Sequence, residues 1–147
     1  MSQQELRFEE QIAAPIESVF ELLADHQRFV ALFGSQCTVT RPGDDRAEPN
    51  GCGSVRRIGP GALSFDETIV HFERPTRIDY VISRGSPLKN HLGSLRLSAQ
   101  GGGTRLDYII RFEGRLPLVG KLVAAALREA WRRNARARLR ELERSGG

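Results

Sequence analysis

Five residues carry most of the acid–base and hydrogen-bonding capacity that this sequence could gather in one place: Arg56, Glu67, Tyr80, His91 and Tyr108. Arginine offers a planar fork suited to a carboxylate. Histidine titrates near neutrality, and tyrosine ends an apolar ring in a hydroxyl. The patterns of other chemistries are missing. No glycine-rich loop has the Walker or dinucleotide spacing, and no Gly-x-Ser-x-Gly elbow occurs. No Cys-x-x-Cys or His-x-x-x-His pair is spaced for zinc, so no metal site is expected. An enzyme built on these groups would need no cofactor: a few polar groups set in an apolar pocket suit cyclisation, dehydration or isomerisation of a carbonyl substrate, the alternative to the primary expectation of a pocket that binds a small lipid-like, aromatic or polyketide-like molecule. The same groups also suit a pocket that only holds its ligand.

Those residues fall in a stretch of strands and turns. The segments Cys37–Thr40, Ser54–Ile58, Phe65–Phe72, Ile78–Ser83, His91–Leu97 and Leu106–Phe112 read as strands. Turn signals separate them: Gly59-Pro60-Gly61, Glu73-Arg74-Pro75-Thr76, Gly85-Ser86-Pro87 and Gly101-Gly102-Gly103. Such spacing predicts an antiparallel meander. Before it come a strand near Leu6–Ile12, a helix opening after Pro15, and a second short helix near Gln27–Leu32 closed by Gly34. After it, a helix is predicted from about Leu116 to Glu143, with Val119, Val123, Ala126, Leu127, Ala130, Trp131 and Ala137 on an apolar face. Arg128, Arg132, Arg133, Arg136 and Arg140 fall on the other side. The only apolar partner wide enough for that helix is the sheet, and a helix does not fill a strongly curved sheet, so a cavity is expected between them.

Hairpin arithmetic gives the lining. Turns at Pro60–Leu63 and Glu73–Thr76 pair Arg56 with Glu67, Ile58 with Phe65, Ile69 with Tyr80 and Glu67 with Ile82. Pairing Leu97 with Leu106 sets Leu95 against Tyr108, Gly93 against Ile110 and His91 against Phe112. The expected ligand-binding set is therefore Arg56, Ile58, Phe65, Glu67, Ile69, Tyr80, Ile82, His91, Leu95, Tyr108 and Ile110, with Leu127, Trp131 and Asn134 from the helix. The candidates for catalysis are His91, Glu67, Arg56 and Tyr80. Arg56 and Glu67 either form a salt bridge that fixes register or anchor a polar group of a ligand. Asn134 either satisfies a backbone group or faces the cavity. His71 shares the concave parity near a turn, and His26 is expected to be exposed.

Several of these stretches resemble a known superfamily. Ile12-Ala13-Ala14-Pro15-Ile16-Glu17-Ser18-Val19-Phe20-Glu21-Leu22-Leu23-Ala24-Asp25 looks like the first strand–helix junction of START-like, helix-grip proteins. Gly53–Arg57, Asp66–Ile69, Glu73–Tyr80 and Gly103–Tyr108 resemble the polyketide cyclase/dehydrase-like branch. The resemblance covers nearly the whole chain. It implies one α+β helix-grip domain over residues 1–147, with a curved antiparallel sheet of six to seven strands, two short helices after the first strand, and a long C-terminal helix. Its members include carriers, cyclases, hydrolases and receptors with different pocket residues, so it implies the fold more firmly than an activity.

The implied partner is a small hydrophobic molecule. The net charge of +4 is accounted for by the last helix, where Arg128–Arg144 holds seven arginines against three glutamates. Helix pairs such as Glu129–Arg133 satisfy part of that face. No aromatic residue interleaves with these arginines on the outer side, so nucleic acid is not the expected partner. The longest apolar run, Leu122–Leu127, is too short for stable membrane insertion. Met1–Glu5 lacks the basic and apolar segments of a secretion signal. A cytoplasmic location is expected, with Cys37 and Cys52 as free thiols. Monomer and homodimer are both left open.

Overall fold

The computed structural model describes residues 3–146. The chain runs β1 (Gln3–Ile12), α1 (Ile16–Ala24), α2 (His26–Ala31), β2 (Cys37–Arg41), β3 (Val55–Ile58), β4 (Phe65–Glu73), β5 (Arg77–Arg84), β6 (Leu88–Gln100), β7 (Gly103–Gly114) and α3 (Val119–Arg144). All seven strands form one antiparallel sheet in the order β1-β7-β6-β5-β4-β3-β2. Strands β2 to β7 are joined in sequence as a meander, and β1 adds to the far edge of β7 from Gln3↔Glu113 to Ile12↔Thr104. With α3 packed on β1 and β7, this is the helix-grip architecture.

Local chemistry explains the junctions. Pro15 stands at the N-cap of α1 with φ −60, ready for a helix. The Asp25 side chain caps α2 by accepting from the Arg28 amide at 3.1 Å. Both helices turn apolar faces inward, through Val19, Phe20, Leu22 and Leu23 of α1 and Phe29 and Val30 of α2.

The predicted register holds where it was most specific: Arg56↔Glu67, Ile58↔Phe65, Ile69↔Tyr80, Glu67↔Ile82, Leu95↔Tyr108 and Gly93↔Ile110 are all partners. It fails at bulges, which plain alternation does not carry. In β4 the register shifts between Ile69 and His71, so His71 pairs with Asp79 on the convex side while Phe72 turns inward against Phe20, ring centroids 5.2 Å apart. His71 is thus not on the concave face. In β6 the register shifts between Lys89 and Leu92. Asn90 sits there with φ +52, the left-handed backbone that asparagine tolerates, and the inserted residue brings Leu88 to the buried side.

The expected face of α3 is also corrected. Gly120, Ala124, Trp131, Ala135, Leu139 and Leu142 are buried, whereas Ala126 and Ala137 are exposed. At about 100° per residue, Ala126 and Ala137 fall roughly 120–140° round the helix from Trp131, too far to share its stripe. His26 is likewise not exposed. Its ring is buried beneath β3, at 1% relative exposure.

Candidate functional site

Between the sheet, α2 and α3 lies a cavity of about 640 Å³, within the usual range for small-molecule sites. Its walls are apolar over most of their extent. Of the expected set, Ile58, Phe65, Glu67, Tyr80, Ile82, His91, Tyr108, Ile110 and Leu127 line it. The remaining ones do not. Ile69 and Leu95 are core residues, 2% and 1% exposed, packed away from the opening. Trp131 is turned to β1, where it stacks on Phe8 (4.6 Å between centroids, planes 10° apart) and donates Nε1–H to Glu10 Oε2 at 3.0 Å. Asn134 donates Nδ2–H to the Ala130 carbonyl at 3.0 Å and lies against Gly34. Of the two roles open to it, the structure gives it the backbone one. Arg56 also stays behind the wall, against the lining side chains of Glu67, Phe29 and Tyr80.

Strand pairing alone missed the other walls. Phe29, Val30 and Phe33 come from α2 and its exit, Ala62 and Leu63 from the β3–β4 connection, Ser86 and Pro87 from the β5–β6 connection, and Val123 from α3. The cue for Phe29 and Phe33 was their four-residue spacing in a segment otherwise read only as a short helix. The loop residues carry no periodic signal.

The polar groups are linked. Arg56 Nε donates to Glu67 Oε1 at 2.8 Å, and Nη2 lies 2.8 Å from the same oxygen. Neither contact uses Oε2. The guanidinium is held between the rings of Phe29 and Tyr80, 4.5 and 4.8 Å from their centroids. On its far side, Arg56 Nη1 lies 3.2 Å from His26 Nδ1 and His26 Nε2 lies 2.8 Å from Ser54 Oγ. Arginine only donates, so His26 Nδ1 accepts and its proton is on Nε2, directed at Ser54. Ser54 Oγ in turn donates to the Arg41 carbonyl at 3.1 Å.

The same logic fixes His91. The Ile82 amide donates to His91 Nδ1 at 3.1 Å, which leaves the proton on Nε2. Burial, then the nearby Arg56 charge, lowers the His91 pKa to about 4. Burial and Arg56 also lower that of His26 to about 4. Both rings are therefore neutral at neutral pH. The Tyr80 and Tyr108 hydroxyls are hydrogen-bonded to each other, and burial pushes both pKa values up. One hydroxyl donates to the other, so one phenolic proton remains to be given elsewhere. Burial also raises the Glu67 carboxyl, against the pull of Arg56.

The cavity thus presents neutral donors, His91 Nε2–H and a tyrosine hydroxyl, beside a carboxyl already clamped by arginine. This set can receive a carbonyl or hydroxyl oxygen. A carboxylate would find no unpaired cation among these groups. Among the described residues, no three His, Cys, Asp or Glu side chains gather as a metal ion would require.

Comparison with known proteins agrees with the architecture. No curated protein sequence matches the chain. Among solved structures, an aromatase/cyclase from a Streptomyces species superposes with a TM-score of 0.71 at 19% identity, over 97% of this chain and 95% of that one. Ara h 8.0201 does so with 0.68 at 15%, over 96% and 98%. A Thermus thermophilus protein gives 0.67 at 20%, over 96% and 95%. At these identities the likeness is one of fold. The family model described as polyketide cyclase/dehydrase and lipid transport matches residues 3–146, and the chain belongs to that family.

Proposed function

We propose that this protein binds a small, mostly apolar molecule in the cavity, with an uncharged oxygen of the ligand at the buried end. One observation carries the reading: an apolar cavity of about 640 Å³ whose polar residues include His91, Tyr80, Tyr108 and Glu67. Apolar walls supply affinity without direction, and the neutral donors supply orientation. The free thiols of Cys37 and Cys52 fit a cytoplasmic carrier.

A second reading, a cofactor-independent cyclase or dehydratase, is favoured by Glu67. A carboxyl raised by burial beside hydrogen-bond donors could exchange a proton with a carbon next to a polarised carbonyl. Under this reading Glu67 moves the proton, while Tyr80 and His91 stabilise the enolate oxygen.

Native mass spectrometry of the purified protein, followed by a thermal-shift panel of aromatic ketones, phenols and fatty acids, tests the primary reading. Saturable binding of neutral oxygen-bearing ligands is expected, and Leu127→Trp, which fills the cavity, should abolish it. A protein that purifies empty and responds to no member of the panel would overturn it. Chemical change in a bound ligand, lost in Glu67→Gln, would favour the enzyme.

A further inference from the structure

We propose that the mouth of the cavity docks on an anionic lipid bilayer. The meander places three connections at one end of the sheet: residues 59–64 between β3 and β4, 85–87 between β5 and β6, and 115–118 between β7 and α3. The cavity opens there, since exposed Ala62, Leu63 and Pro87 are among its lining residues. The Arg115 amide donates to the Pro87 carbonyl at 2.8 Å and ties two of the connections together.

This end carries most of the exposed apolar bulk. Leu63, Leu116, Leu118 and Leu122 are 81%, 65%, 70% and 69% exposed. The other exposed large apolar side chains among the described residues are Val39 and Val70, 37% and 49% exposed, on β2 and β4. Leu118 stands at the N-cap of α3 with φ +70, a backbone that leucine adopts rarely. Leu122 lies one turn on, its amide donating to the Leu118 carbonyl at 3.0 Å. Protruding apolar side chains grouped round an opening mark an interaction surface.

Charge selects the occupant. Residues 59–64, 85–87 and 115–122 contain Arg115 and Lys121 and no Asp or Glu, and both basic residues are exposed. Two copies of this face would set like charges together. Anionic headgroups complement it, with leucines reaching the acyl boundary and the basic groups remaining among phosphates. The surface does not depend on which ligand the cavity holds.

The test is co-sedimentation with phosphatidylcholine vesicles, with and without phosphatidylglycerol. The protein should pellet with the anionic vesicles and release at high salt. Leu118→Ser/Leu122→Ser and Arg115→Glu/Lys121→Glu should each weaken partitioning by about fivefold or more, with melting temperatures unchanged because the side chains are exposed. A wild-type protein that stays in the supernatant with anionic vesicles, or variants that pellet like it, would overturn the proposal. So would a dimer that these substitutions dissociate in the absence of vesicle binding, which would make a second copy the occupant.

Discussion

Gly93 lies directly opposite Tyr80 in the β5–β6 ladder, and the tyrosine ring occupies the space where a side chain on Gly93 would begin. A Cβ there would meet Cζ, Cε1 and Oη of Tyr80 well inside contact distance. The backbone of Gly93 is not left-handed, so the glycine is needed for room and not for conformation. It lets Tyr80 lie across β6, reach the Tyr108 hydroxyl and cover the Arg56 guanidinium. Gly93→Ala should therefore cost about 1–3 kcal/mol from overpacking, read as a lower urea midpoint. It should also weaken ligand binding more than Tyr80→Phe does, because the whole ring must move. Unchanged stability would show that the ring has another place to go.

Arg56 and Glu67 test how a buried ion pair is held. Their side chains are 2% and 9% exposed. Removing one partner leaves the other charged and buried, which typically costs about 3–5 kcal/mol. Arg56→Met should be the worse single change, since it also takes the donor from His26 Nδ1. Arg56→Met/Glu67→Leu should recover most of the loss, and chemical denaturation of the four proteins gives the coupling directly.

This pair shows how much of the site was legible in the sequence. Arg56↔Glu67 followed from the length of one turn, and period-two alternation carried the inner face from there. Bulges break that arithmetic, and no residue type announces them reliably: His71 left the inner face through one, and Leu88 joined the cavity through another. His26 was misread because a histidine between Asp25 and Gln27 looks solvated until the fold lays β3 over it. Ser54 and Arg56, which satisfy both of its nitrogens, are distant in sequence. The face of α3 was misplaced where alanines were weighted like leucines. Alanine is small enough to be tolerated on either side, so Leu139 and Leu142 were the better guides.

Buried His26 and half-buried His91 make stability depend on pH in a defined window. Each has a folded pKa of about 4 against an ordinary value of 6.5. Above that ordinary value neither state is charged. As the pH falls towards 4, the unfolded chain takes up protons that the folded protein refuses, so stability drops by up to about 1.4 kcal/mol per pH unit for each histidine. Glu67 opposes this, because its raised carboxyl protonates first in the folded state. Asp66, held low by Arg57 and Arg84, adds its loss only below the ordinary aspartate range. Urea midpoints between pH 7.5 and 4.5 should fall for the wild type and fall less for His91→Gln. Parallel curves for the two proteins would mean that His91 is not held neutral by the fold.

Trp131 is the single tryptophan in the chain, and it stands one layer behind the cavity. Its ring is 5.5 Å from those of both Tyr108 and Phe33, and both of those line the cavity. A ligand that packs against Tyr108 or tilts Phe33 changes the surroundings of the indole without touching it. Titration with a bound ligand should therefore shift or quench Trp131 emission in a saturable way, with the same dissociation constant as a direct measure such as calorimetry. Trp131→Phe should remove the optical signal. It should keep ligand affinity within about threefold, because the indole is not part of the wall, and it should lower stability by about 1–3 kcal/mol by leaving Glu10 Oε2 without its N–H donor. A large loss of affinity in Trp131→Phe would place the indole in contact with the ligand and make the cavity larger on the α3 side than the structure shows.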